Sequence, residues 1–400
     1  MTGPNPGARH PDAVSGRGRR VAVRATLLLC ACAGAASALP NHGAKPAGRL
    51  SEMRGIWAEC EGVNATFSSR AGIEEMFTRL EKAKVNTVFM QVYRGNKAWY
   101  RSGIANAGPY RAFYDKEKVC PLRLAIDMAH ARGMQLHAWV NVFRVWGGKD
   151  AEIIRKLGKG AMTRDRSGRS ILDYPKGALP DSGYWLEPGD PDARGHVLRI
   201  VQEILDRYPD IDGIHLDYVR YPFDEKGKTD FGYWRRSVAA FKKSSVVDPA
   251  RCAGAKRALW DGWRRDQVTL FVAGAKRLTA ARGKLLSVAI VPDEKKCRET
   301  TFQDWRRWLS EGLVDFVVPM NYSERRELVR KRSAEVLSAA GTGARVAMGL
   351  GAYKMLDSLA ALAAQIRDCR GMGALGVVLF SYDNMTRRPE MFAYLGKNVF

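Results

Sequence analysis

The side chains in this chain best suited to chemistry are carboxylates, amides, arginines and aromatic rings that follow short apolar runs. The central run is Ile211–Pro222, reading Ile-Asp-Gly-Ile-His-Leu-Asp-Tyr-Val-Arg-Tyr-Pro. Ile211, Ile214, Leu216 and Val219 give it the character of a strand buried among helices. Side chains alternate along a strand, so His215 and Asp217 share one face near its carboxyl end. A carboxylate there is costly to bury, and Asp217 is the first candidate for a catalytic group. The competing reading is a structural His–Asp pair that ties the strand end to its neighbours.

A second carboxylate has several possible sources: Glu59 and Glu61 after the first run, Glu187 in a long loop, Asp293 and Glu294 after the fifth, Glu324 after the sixth. Asp293 ranks first because it follows Pro292 directly at the end of the neighbouring run, and Glu187 is the alternative. Paired carboxylates suit glycosidic cleavage, one as acid and one as nucleophile or base. The other strand-end residues are Gln91, Arg94, Trp139, Asn141, Arg144, His215, Arg220, Asn321, Tyr322 and Tyr382. Flat aromatic faces beside hydrogen-bonding amides fit sugar rings, which present C–H faces and hydroxyl edges. No Ser/His/Asp elbow and no phosphate loop accompanies them. His137, His215 and Asp217 are types that hold zinc, but the His-x-His of metal-dependent hydrolases is missing after the first run. No metal or other cofactor is expected.

These residues need a scaffold that brings strand ends together. From Met53 the chain repeats a short apolar run, a loop and an amphipathic helix. The runs are 54–60, 85–93, 134–143, 211–222, 285–291, 314–320, 346–350 and 375–380. Helices are predicted over about 71–84, 122–132, 191–208, 302–311 and 358–370, the first from Ile73, Met76, Phe77, Leu80 and Ala83 at helical spacing. Eight such runs alternating with helices predict an α/β chain folded as a (β/α)8 TIM barrel over residues 51–400, with a helical insertion at about 223–283. A doubly wound sheet is the rival, but no Gly-rich dinucleotide turn follows the first run. Polar residues crowd the strand-to-helix loops, while the helix-to-strand connections are short and plain. One end of the barrel therefore reads as a site and the other as scaffold. The irregular segment 144–190, rich in aromatics, is long enough to expect a role.

The first 38 residues read as a signal peptide. Arg17, Arg19, Arg20 and Arg24 precede an apolar run from Ala25 to Ala36, and Ala36-Ser37-Ala38 supplies small residues for cleavage before Leu39. Cys32 matches a lipidation site poorly, with Cys30 two positions earlier. Residues 39–50, with two Pro and two Gly, read as a flexible leader. An exported protein, periplasmic or extracellular, with no transmembrane segment after signal removal is the expectation. The formal charge is +23 over 400 residues, spread along the chain. No nucleic-acid-binding pattern accompanies it, so the partner expected is cell wall or another anionic glycan rather than nucleic acid. Beyond the signal lie Cys60, Cys120, Cys252, Cys297 and Cys369, an odd number without metal spacing, so no disulfide framework is indicated.

Several of these pieces, in order, resemble glycosyl-hydrolase-like family 10. They are Arg54-Gly55-Ile56-Trp57, Asn86-Thr87-Val88 with Gln91-Val92, and Tyr100-Arg101-Ser102. After them come His137-Ala138-Trp139-Val140-Asn141 with Arg144, Trp185-Leu186-Glu187-Pro188-Gly189, Asp212-Gly213-Ile214-His215-Leu216-Asp217 and Pro319-Met320-Asn321-Tyr322. The resemblance spans about residues 52–385. It implies a (β/α)8 barrel and glycoside hydrolysis of a cell-wall glycan, with Asp217 at the strand-four acid. Two departures stand out: Tyr218 where many members carry a second Asp, and Glu187 where the usual residue is Asn. The leading reading is an exported glycoside hydrolase acting on a polysaccharide such as the glycan strands of peptidoglycan. The alternatives are a glycan-binding barrel without chemistry and a metal-dependent polysaccharide deacetylase.

Overall fold

The computed structural model describes residues 52–400 apart from 180, 182, 224–228, 342 and 344. The expected signal peptide and leader therefore lie outside the described residues. Eight parallel strands form a closed barrel. They are β1 (Met53–Ala58), β2 (Thr87–Arg94), β3 (Gln135–Asn141), β4 (Gly213–Asp217), β5 (Leu285–Ile290), β6 (Phe316–Asn321), β7 (Ala347–Leu350) and β8 (Gly376–Leu379). Each pairs with the next, and β1 pairs with both β2 and β8, which closes the ring. The (β/α)8 expectation is met.

Alternation along the strands sorts two kinds of core. Outward residues such as Ile56, Val88, Leu136, Ile214 and Leu286 pack under the helices. Inward residues fill the barrel, among them Trp57, Phe89, Trp139, Phe316, Val318, Ala347 and Val378. Gly213 has to be small, because a Cβ there would lie 2.4 Å from Nδ1 of His137. The barrel interior is thus packed solid below its mouth, as this fold requires.

The helices follow from local signals. Arg70–Lys82 starts where the Ser69 hydroxyl accepts the N–H of Gly72 at 3.1 Å, and it buries Ile73, Met76, Phe77 and Leu80. Each such side chain contributes roughly 1.5–3 kcal/mol of burial. Proline opens both Pro121–His130 and Pro191–Arg207. Among its described residues the stretch 223–283 holds two helices, Arg235–Ser245 and the 27-residue Gly254–Ala280. The first half of the longer one gives Trp260 to a small core with Tyr233 and Phe241. Its second half packs on the barrel, with Phe271 edge-on to Phe143 at 5.4 Å. Several helices are absent from the expectation, among them Gly108–Glu117, which falls partly where a loop through Tyr114 is expected, Arg326–Ala340 and Glu390–Asn398. Among the described residues no helix is long and apolar enough to cross a membrane, and all five thiols are unbridged.

Helix-to-strand turns such as 83–86, 131–134 and 281–284 are short, whereas β3 is followed by a long excursion before Pro191. Arg144–Val145 pairs antiparallel with Tyr184–Trp185, and the Glu187 N–H donates to the carbonyl of Ala161 at 2.8 Å.

Candidate active site

At the carboxyl ends of the strands lies a cavity of about 120 Å³ lined by Trp57, Glu59, Gln91, Arg94, Trp139, Asn141, Trp146, Asp217, Tyr218, Ala289, Met320, Tyr322 and Phe380. Asp217 closes β4 with its side chain directed inward, beside Asn141 of β3. It is 6% exposed. Its Oδ1 accepts the N–H of Tyr218 at 2.6 Å. Burial lifts the carboxyl to about 6; Arg220, that N–H and Arg144 pull it down, and Asp181 adds to the rise. A carboxyl so placed is part protonated in mildly acidic water, the state a general acid needs.

Below Asp217 the floor is neutral. The indole N–H of Trp57 donates to Nε2 of His215 at 3.0 Å, so the ring proton sits on Nδ1, 2.8 Å from Oγ of Ser287. Burial holds this imidazole far below its ordinary range, and that of His137 at about 4. Both nitrogens of His215 are occupied within the protein, so it has no lone pair for a metal. Among the described residues no group of three His, Cys, Asp or Glu is placed to hold one.

The wall on the β2–β3 side is built of amides and stacked cations. Gln91 accepts the Cys60 thiol at 2.9 Å and donates to Oδ1 of Asn141 at 3.3 Å. The guanidinium carbons of Arg94 and Arg144 stand 3.8 and 3.9 Å from the ring centre of Trp146. Arg144 also donates to the hydroxyl of Tyr218 at 2.7 Å, fixing a residue whose φ is +53°. Arg94 Nε, Trp139 Nε1, Asn141 Nδ2 and Trp146 Nε1 are buried donors with no acceptor in the described protein. All four residues line this cavity, which gives it a donor-rich rim suited to an oxygen-rich ligand. Opposite, Tyr322 and Phe380 stack at 5.3 Å, with the Trp57 ring edge-on to each.

Glu59 also faces the cavity. Its Oε2 accepts the Ser381 hydroxyl at 2.8 Å, and its backbone N–H donates to Oδ2 of Asp383 at 2.9 Å.

The structure thus gathers Gln91, Arg94, Trp139, Asn141, Asp217 and Tyr322 on one cavity, with Arg144 bracing its wall. It does not bring the other expected residues there. Asp293 is exposed, and its Oδ1 caps the helix Glu294–Glu299 through the N–H of Lys296 at 2.8 Å. Glu187 is fully buried among donors: Thr163 Oγ1 at 2.8 Å, Tyr221 OH at 2.9 Å and Gly189 N at 3.0 Å. His215 lies beneath the cavity. Arg220 is buried behind Tyr218 in an ion pair with Asp181 at 2.7 Å, its guanidinium 4.7 Å from the Trp185 ring. Asn321 points outward to the carbonyl of Val329 and Oγ of Ser333. Tyr382 packs on Phe392 at 5.7 Å. The site residues passed over in the sequence were chiefly Ala289, Met320, Phe380 and Ser381. Counting in twos from inward Trp57, Ser287, Phe316 and Val378 reaches the first three and Glu59, and nothing in the sequence singles out Ser381.

The chain is similar to several known proteins. Glycosyl hydrolase DigH of Escherichia coli strain K12 is 25% identical over 384 residues, covering 84% of this chain and 82% of that protein. Glycosyl hydrolase YngK of Bacillus subtilis strain 168 is 23% identical over 310 residues, covering 68% of this chain and 54% of that one. The crystal structure of the endo-beta-1,4-mannanase from Thermotoga petrophila superposes with a TM-score of 0.52 at 12% identity, over 88% of this chain and 78% of the enzyme, a likeness of fold. The family described as glycosyl hydrolase-like 10 matches residues 52–355, and the chain belongs to it.

Proposed function

We propose that this protein is an exported glycoside hydrolase that cleaves a polysaccharide, with the glycan strands of peptidoglycan as the substrate, and that Asp217 is its proton donor. The observation that carries the reading is a carboxyl raised to about 6 by burial, opening onto a cavity of aromatic faces and unsatisfied N–H donors. Protonated, Asp217 passes its proton to the glycosidic oxygen as the bond to the anomeric carbon breaks. Tyr322 and Phe380 offer stacking faces for the ring, while Asn141, Trp139 and Arg94 offer donors to its hydroxyl and acyl oxygens. The names of the relatives DigH and YngK agree with hydrolysis. Export rests on the Arg-rich segment and apolar run before Leu39, and amino-terminal sequencing of the exported chain tests it: a mature start at Leu39 is expected.

The decisive experiment is reducing-end release from purified peptidoglycan, with and without its stem peptides, by the wild type and by Asp217→Asn. Release by the wild type alone supports the reading. Equal turnover by the variant would sink it. A second reading, a glycan-binding barrel without chemistry, draws on one observation: neither Asp293 nor Glu187 reaches the cavity. Saturable binding by both proteins with release by neither is its signature.

A further inference from the structure

Asp217 alone does not complete hydrolysis, because the water that attacks must lose a proton as the leaving oxygen gains one. We propose that Glu59 is the carboxylate that takes this proton, and that Ser381 and Asp383 are positioning residues that hold it in place. The inference rests on the hydrolase reading above.

Parity and position both put Glu59 at the mouth. Trp57 points into the barrel, so Glu59, two residues on, is directed inward just beyond the end of β1. β1 lies three places round the ring from β4, so Glu59 and Asp217 reach the same cavity from different sides. The side chain is held through Ser381. Asn384 Nδ2 donates to Oγ of Ser381 at 2.8 Å, which directs the Ser381 proton toward Oε2 of Glu59, also at 2.8 Å. The Ser381 hydroxyl thus fixes Oε2 of Glu59 and with it the direction of the carboxylate.

Asp383 fixes the backbone beneath it. This aspartate is 1% exposed, and its Oδ2 accepts the Glu59 N–H. The loop after β1 then passes flush over Asp383, since a Cβ at Gly62 would lie 2.0 Å from its Oδ1. Asn64 Nδ2 adds a bond to the Asp383 carbonyl at 3.0 Å. The carboxyl of Asp383 is raised to about 6, by burial first and also by the charge of Glu59, so the two groups are near enough to sense each other.

The step balances. The proton of Asp217 moves to the glycosidic oxygen and the bond from that oxygen to the anomeric carbon breaks. The oxygen of water bonds to that carbon, and the proton it sheds passes to Glu59. Solvent then restores both carboxyls.

The test uses the full chain and purified glycan strands, comparing the wild type, Asp217→Asn, Glu59→Ala and Ser381→Ala. Glu59→Ala should lose turnover by roughly 10²–10⁴-fold while keeping its melting temperature and glycan binding. Added sodium azide, a nucleophile that needs no base, should restore consumption of the glycan and leave a glycosyl azide at the new end. Ser381→Ala should lower kcat about tenfold at unchanged KM, whereas a merely structural serine would lower the melting temperature and leave kcat alone. The inference is overturned if Glu59→Ala stays within tenfold of the wild type, or if it loses turnover and azide does not rescue it. Either result with Asp217→Asn inactive leaves the hydrolase reading standing. A wild type that releases nothing overturns both.

Discussion

Glu187 and Asp217 are both buried carboxylates, one in the long excursion after β3 and the other at the mouth of β4, and they are buried differently. Glu187 is enclosed by Thr163, Tyr221 and the N–H of Gly189, three donors on its two oxygens. It ties the Trp185–Gly189 turn to the segment after β4. Burial raises its carboxyl, and those donors, with Arg264, oppose the rise. Asp217 has one backbone N–H and otherwise opens on a cavity. If Asp217 is the proposed proton donor, depth of burial does not separate structural from chemical carboxylates. What separates them is whether the protein has already used their lone pairs.

The largest effects should show that contrast. Asp217→Asn should reduce turnover by roughly 10²–10⁴-fold with no loss of stability, while Glu187→Gln should leave turnover per folded molecule within a few-fold. Steady-state kinetics beside chemical denaturation checks both. Glu187→Gln should lose about 1–3 kcal/mol, because the charge-assisted bonds weaken and a hydroxyl that now donates to the carboxylate would have to turn round to accept from the amide NH₂. An active-site loss at Glu187 with unchanged stability would reverse the comparison.

The pH dependence sharpens it further. Asp217 must hold its proton to act, so kcat/KM should fall as pH rises through about 6. Stability moves in the same window. The folded carboxyl binds its proton more tightly than the unfolded one, so this contribution is full below the ordinary carboxylate range and lost as pH climbs past 6. A shift of this size is worth up to about 3 kcal/mol. Asp217→Asn should flatten part of that slope in melts between pH 4 and 7. Some slope should remain, because Asp383 is raised to a similar value. The smallest effect belongs to Asp293→Ala, which should cost about 1 kcal/mol through the lost helix cap and leave kcat/KM unchanged.

The barrel itself was legible in the sequence because each strand is an apolar run bounded by polar residues, and that pattern survives in a single chain. Arg326–Ala340 escaped notice because it buries only Val329, Ser333 and Val336 along fifteen residues, leaving charge on the rest. The site was legible where alternation could be carried along a strand, as with Gln91, Trp139, Asn141 and Asp217. Asn321 failed because it follows inward-facing Met320 and so must point out. Asp293 failed because nearness in sequence to a strand end was read as nearness to Asp217, whereas its carboxylate turns back to cap the helix that starts there. The enclosure of Glu187 by Thr163 and Tyr221 depends on contacts 24 and 34 residues apart, which no local pattern reveals.

Three of the ten tryptophans, Trp57, Trp139 and Trp146, line the same cavity as Asp217. The molecule thus carries its own optical reporter for the proposed function: a sugar entering this cavity would change the surroundings of these indoles and with them their emission. Occupancy of the cavity becomes readable in unlabelled protein, even in variants that no longer turn anything over.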